Sequence, residues 1–180
     1  MSPTRSVLIS TLAVLVALTI PVGASAQLGG SSSGWAPVMV GIRFGQQQRT
    51  GSWVLGGQAR IPILPSGIVE VMPNADITYL TGEKQYQYAL DAAWVSGGRH
   101  GGLYAGAGLA LRRGVFNSSV GRETKKGWDI VVGLKTMPGR GIPVGIQLEE
   151  RWTFLHLPVN PSVLSLGVNV PLWGWGHFGR

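Results

Sequence analysis

The feature that most constrains this chain is an alternation of period two that recurs in segment after segment. Val38-Met39-Val40-Gly41-Ile42-Arg43-Phe44-Gly45 is one instance, and Trp128-Asp129-Ile130-Val131-Val132-Gly133-Leu134-Lys135 is another. Side chains of an extended strand point alternately to opposite faces, so period two predicts strands with one apolar face. Arg43 and Lys135, placed mid-segment, make the other face polar. Helical i, i+3, i+4 spacing is missing throughout the region that alternates. A sheet with one greasy face and one charged face reads as a barrel turned outward to lipid.

The N-terminus predicts export. Residues 1–26 read as a signal peptide: Arg5 supplies the positive start, Val7 to Ile20 the apolar stretch, and Ala24-Ser25-Ala26 a small-residue cleavage site. Residues 27–34 (QLGGSSSG) read as a flexible lead-in. The remainder suits one domain, 35–178. Composition agrees with a membrane barrel. Charged residues are only 13%, well under the usual quarter, while glycine reaches 28 of 180. With no cysteine there is neither a disulfide nor a thiolate nucleophile.

Eight strand-like segments are predicted, at about 35–46, 52–61, 68–80, 84–95, 102–112, 126–137, 142–154 and 162–173. Breakers such as Pro65-Ser66-Gly67, Ser96-Gly97-Gly98 and Pro138-Gly139-Arg140-Gly141 separate them. Eight strands of this length match the smallest closed membrane barrel, and closure removes the unpaired edges that lipid does not tolerate. The fold class predicted is therefore all-β, an eight-stranded antiparallel up-and-down transmembrane barrel.

Parity sorts the side chains. If the apolar sets face lipid, then Arg43, Arg60, Glu70, Asp76, Asp91, Asp129, Lys135, Glu149 and Arg151 fall inside, together with many glycines. A narrow lumen requires such charges to pair, which predicts a structural salt-bridge network. Two places break the pattern. Glu150 has lipid parity and is expected near a rim, and Pro73 suggests a bulge or a bend in the third strand. Alternating strand direction, with both termini periplasmic, sorts the aromatics into two belts. Phe44, Trp53, Tyr79, Tyr86, Tyr88, Trp128, Trp152 and Phe154 fall at the outer rim; Trp35, Trp94, Trp173 and Trp175 fall at the periplasmic rim.

On this pattern, and on phrases such as Leu55-Gly56-Gly57-Gln58-Ala59-Arg60-Ile61-Pro62 and Tyr104-Ala105-Gly106-Ala107-Gly108-Leu109, the chain resembles the small eight-stranded outer-membrane β-barrel proteins of Gram-negative bacteria. The resemblance covers about 35–178. It implies the outer membrane as location, outer-membrane lipid and the barrel assembly machinery as partners, and a monomer. The family's terminal aromatic stands here as Phe178, followed by Gly179-Arg180.

Chemistry-bearing clusters are sparse. His100, His156 and His177 are dispersed, so no metal site, no cofactor and no catalytic residue are predicted. Barrel lipid hydrolases combine a histidine, a serine and a carboxylate, and His156, Ser162 and Glu150 are the nearest equivalents here. A basic connection between the fifth and sixth strands is the remaining candidate. Arg113, Arg122, Lys125 and Lys126 in it are expected to contact lipopolysaccharide phosphates, since Arg and Lys pair with phosphate. The function predicted is non-enzymatic, structural or surface-interacting. The alternatives are a lipid A deacylase-like enzyme and a soluble periplasmic lipocalin-like binder of an apolar ligand. A nucleic-acid role does not fit the dispersed charge.

Overall fold

In a computed structural model, which describes residues 35–80, 83–116, 123–138, 144–155 and 160–172, the chain closes into a barrel of eight strands in sequence order. They are β1 Met39–Gln47, β2 Trp53–Pro62, β3 Val69–Leu80, β4 Glu83–Val95, β5 Gly101–Phe116, β6 Glu123–Thr136, β7 Gly145–Phe154 and β8 Ser162–Pro171. All neighbours are antiparallel, and β1 closes on β8. The predicted signal peptide and lead-in lie outside the described residues, as do Trp173, Trp175 and Phe178.

The ladder fixes the tilt. A row begun at Met39 passes Arg60, Met72, Asp91, Gly108, Asp129 and Thr153. Thr153 N–H donates to the carbonyl of Pro161, and Gln48 N–H donates to that of Ser162. The row therefore returns to β1 at Arg49, 49 − 39 = 10 residues above its start. A shear of ten over eight strands tilts every strand, and a plane across the barrel drops about 1.25 residues per strand relative to the ladder.

The faces follow parity. On β1 the burial alternates from Ile42, 67% exposed, to Arg43, 3% exposed. Leu90, Leu109, Ile146, Leu148, Leu166 and Val168 are likewise exposed on the outside, while Asp91, Gln147, Glu149 and Asn169 are buried within. This is the reverse of a soluble barrel that carries an apolar ligand. Such a barrel would set Arg43, Arg60 and Lys135 in water and the aliphatics around a cavity, whereas these three cations are at most 3% exposed.

Three expectations need correction. Pro73 makes no bulge: β3 pairs with β4 without interruption from Val69↔Trp94 to Leu80↔Glu83. Pro73 keeps outward parity and only thins the ladder to β2, where a proline has no N–H to give. Glu150 is not at a rim. It is the sixth residue of ten in β7, opposite Val132 and Leu164, and only 6% exposed beneath its neighbours. Finally, the described basic residues of the fifth connection lie in strands, not in a loop. β5 runs on to Phe116 and β6 begins at Glu123, so Arg112, Arg113, Lys125 and Lys126 are strand residues. The gap between β6 and β7 is longer than that connection.

The wall is uneven. β1, β2, β7 and β8 have 9 or 10 residues, whereas β3 to β6 have 12, 13, 16 and 14. The extra length of β4–β6 lies at the end that carries the β1–β2, β3–β4, β5–β6 and β7–β8 turns, here called the hairpin end. At the opposite end, which carries the termini, the β2–β3 loop ties the base together. Arg99 N–H donates to the carbonyl of Ser66, Val95 N–H to Ile68 and Ala36 N–H to Pro65. Gly67 has φ +68°, and a Cβ there would sit 2.9 Å from that of Ala36. Only glycine fits that turn.

Candidate functional site

The lumen is filled by one connected polar network to which every strand contributes. Glu149 of β7 is its hub. It accepts from Arg43 Nη1 at 2.7 Å, Arg151 Nη2 at 3.1 Å and the Tyr104 hydroxyl at 2.7 Å. Arg43 of β1 also grips Asp76 of β3, donating from Nε at 2.8 Å, and donates to Asn74 Oδ1 at 2.8 Å. Arg151 joins two further strands, with Asp91 of β4 at 2.7 Å and Asp129 of β6 at 2.6 Å. Toward the base, Arg60 of β2 pairs with Glu70 at 2.9 Å, and Lys135 pairs with the same carboxylate. An amide triad of Gln58, Gln147 and Asn169 continues the network to β8 and back to Arg60.

All nine lumenal residues singled out from parity are at most 6% exposed and make ion pairs. Desolvating a charge is costly unless opposite charge and hydrogen bonds replace the water. The network supplies both. Arg151, for example, faces three carboxylates, and Arg43 faces two.

Glycines make the network fit. Gly56 and Gly167 flank Arg43 in the ladder, and Gly108 lies between Asp91 and Asp129. A Cβ on Gly56 would strike the Asp76 carboxylate, and one on Gly108 would strike Asp91. Gly133 lies beside Tyr104, where a Cβ would come within 2.5 Å of the ring. Large and absent side chains alternate between neighbouring strands, so eight strands can enclose long arginines without widening.

Tyr104 is the residue that parity reading missed. It is 1% exposed, lies under the Arg60 guanidinium at 4.3 Å, and joins an apolar cluster with Met72, Ala93, Val95 and Val131. The signal was present: Tyr104 shares inward parity with Gly106 and Gly108. The network and this cluster together plug the lumen at mid-height and below. Higher up the lining turns to amides and hydroxyls, with Gln87 Nε2 donating to Thr153 Oγ1 at 2.9 Å. Arg112 joins that layer, 9% exposed, contacting Gln47 and Gln85.

The four residues predicted to meet lipopolysaccharide separate. Arg113 and Lys126 point outward and are exposed; Lys125 has inward parity and is partly buried; Arg122 lies outside the described residues. Lys84, unremarked in the sequence, is a third outward cation and lies 6.0 Å from the Tyr79 ring. Below them is an aromatic layer in which Trp128 stacks on Phe154 at 4.1 Å, and Phe44 stacks on Trp53 at 4.9 Å. Trp35 and Trp94 are exposed near the termini end.

Of the hydrolase-like trio, Ser162 and Glu150 have the same outward parity on adjacent strands. Ser162 pairs with Trp152, and Glu150 with Leu164, two ladder steps apart. His156 lies outside the described residues. No grouping of three metal-ligating side chains exists among the described residues.

No protein-family model matches the sequence, and no curated protein matches it in sequence. The fold does match solved structures. The N-terminal β-barrel domain of OprF from Pseudomonas aeruginosa is 20% identical with a TM-score of 0.60; the match covers 76% of this chain and 98% of that one. Neisserial surface protein A is 16% identical with a TM-score of 0.58, covering 74% and 95%. The Yersinia pestis outer membrane protein Ail is 14% identical with a TM-score of 0.52, covering 75% and 98%. In architecture, this chain shares the fold of these small eight-stranded outer-membrane barrels, with a network of paired charges inside and exposed aliphatic residues outside.

Proposed function

We propose that this protein is a non-enzymatic resident of a bacterial outer membrane, with a structural and surface-interacting role. On this reading the hairpin end faces outward and its basic residues meet lipopolysaccharide. The observation that carries the proposal is the inside-out burial of the strands. An exterior of exposed Ile, Leu and Val is stable only in lipid. An interior in which each buried cation meets a carboxylate or amide leaves no continuous water path. The barrel therefore acts through its outer surface and not as a pore. The outward cations support a surface role, because the wall that bears them is the one that rises highest.

Two measurements test it. Fractionation should place the protein in outer membranes, released only by detergent and with heat-dependent gel mobility. In planar bilayers the purified barrel should show no steady conductance. Release without detergent would contradict the membrane placement, and a stable open channel would contradict the sealed lumen.

A further inference from the structure

Three outward cations occupy successive strands of the tall wall. Lys84 of β4 is opposite Val115 of β5; Arg113 lies two residues below that position; Lys126 of β6 is opposite Leu111, two residues lower again. Along the ladder this is a descending diagonal. The shear absorbs most of it, since a level plane itself drops about 1.25 residues per strand. Each step thus changes height by less than one residue, roughly 2–3 Å. The three cations form a nearly level arc around the outside of the barrel.

The arc is open to its surroundings. All three side chains are exposed, and among the described side chains none of the three is held in an ion pair. Arg112 of β5 and Lys135 of β6, by contrast, are turned inward and bonded. Directly beneath the arc the surface changes character. Tyr86 is opposite Arg113, Tyr88 is opposite Leu111, and Trp128 is the next outward residue below Lys126. Tyrosine and tryptophan at one height mark the boundary between headgroups and acyl chains. A cationic arc immediately above that boundary is at the level of lipid phosphates. Diagonal neighbours on a sheet are about 7–8 Å apart, close enough for one multiply phosphorylated headgroup to touch more than one of them.

We infer that Lys84, Arg113 and Lys126 form a binding site on the outer wall for the phosphates of a lipopolysaccharide headgroup, with its acyl chains against Tyr88, Leu111 and Trp128. The inference rests on the outer-membrane reading above and sharpens it. The contact is made by strand residues at headgroup depth, not by a loop tip. Recognition is ionic and bidentate at Arg113, with the ammonium groups of Lys84 and Lys126 as flanking point charges. A ligand with two phosphates engages the arc more fully than one with a single phosphate, so lipid A is favoured over a phospholipid.

The test uses the full barrel in micelles, titrated with diphosphoryl lipid A, monophosphoryl lipid A or phosphatidylglycerol, with bound lipid counted by native mass spectrometry. Wild type should retain the three lipids in that order. The triple variant K84E/R113E/K126E should lose diphosphoryl lipid A by about tenfold or more, because each cation at a headgroup surface contributes severalfold. The milder K84Q/R113Q/K126Q should fall between, and R99E at the opposite end should bind as wild type does. Undiminished binding by both triple variants would overturn the site, and equal retention of phosphatidylglycerol would overturn its occupant. Fractionation separates this from the broader reading. Charge-dependent lipid A binding by a protein absent from outer membranes would uphold the phosphate site while refuting the cellular placement.

Discussion

The two faces of the same strands obey different rules. On the inner face each side chain has a particular partner: Arg43 needs Asp76 and Glu149 opposite it and a glycine on either side. On the outer face, Ile42, Leu55 and Leu166 are exposed, and on the proposed membrane reading they need only be apolar. A residue moved by one position along a strand crosses from one regime to the other. The lesson is that period two encodes two chemistries at once, one specific and one permissive. The outer face stops being uniformly apolar above the aromatic layer, where the tall β4–β6 wall carries Lys84, Arg113 and Lys126.

Substitutions can break this contrast, and the largest effect belongs to the hub of the network. Glu149→Leu strips the acceptor from Arg43, Arg151 and Tyr104 together. It should cost about 3–5 kcal/mol, as expected when one partner of a buried ion pair is removed. Urea unfolding of the barrel in lipid vesicles reads it directly. On the outer face the neighbouring Leu148→Arg should cost about 2–4 kcal/mol, because it puts a charge among acyl chains. Leu148→Ile there should change stability by less than about 1.5 kcal/mol. If Leu148→Ile proved as damaging as Glu149→Leu, the two faces would not differ as described.

A smaller effect tests the packing of large against absent side chains. Gly133→Ala should destabilise by about 1–3 kcal/mol, through overpacking against the Tyr104 ring and the Leu148 carbonyl. In the double variant Gly133→Ala with Tyr104→Ala that penalty should shrink, and a double-mutant cycle measures the coupling. Smallest of all, Gly57→Ala should be nearly silent. A Cβ there meets only a backbone oxygen at 3.8 Å.

Much of this architecture was legible in the sequence. Alternation located all eight strands to within a few residues at most ends, because an apolar exterior and a charged interior give each parity its own chemistry. It was blind where the two parities carry the same chemistry. In Arg112-Arg113 and Lys125-Lys126 both faces are cationic, so the alternation vanishes and the segment reads as a loop. The structure continues β5 and β6 through it, dividing each pair between lumen and exterior. Pro73 misled for a different reason. A proline weakens one ladder without shifting register, and composition cannot distinguish that from a bulge. Glu150 remains the one carboxylate on the outer face of β7, and its burial between Val132 and Leu164 could not be foreseen from alternation. The outward cationic arc was out of reach, because it depends on the shear of the whole barrel and not on any one segment.

The central claim is that the apolar parity faces lipid and the polar parity a sealed lumen. Site-directed spin labelling along β8 tests it most directly, helped by the absence of native cysteine. Single cysteines at Ser165, Leu166, Val168 and Asn169, labelled in vesicles, can be probed with oxygen, which concentrates in lipid, and with a water-soluble nickel chelate. The account predicts high oxygen accessibility at 166 and 168 and low accessibility to both probes at 165 and 169. Chelate access at 165 and 169 with exclusion of the chelate from 166 and 168 would contradict it, and would mean a soluble barrel with its apolar face inside.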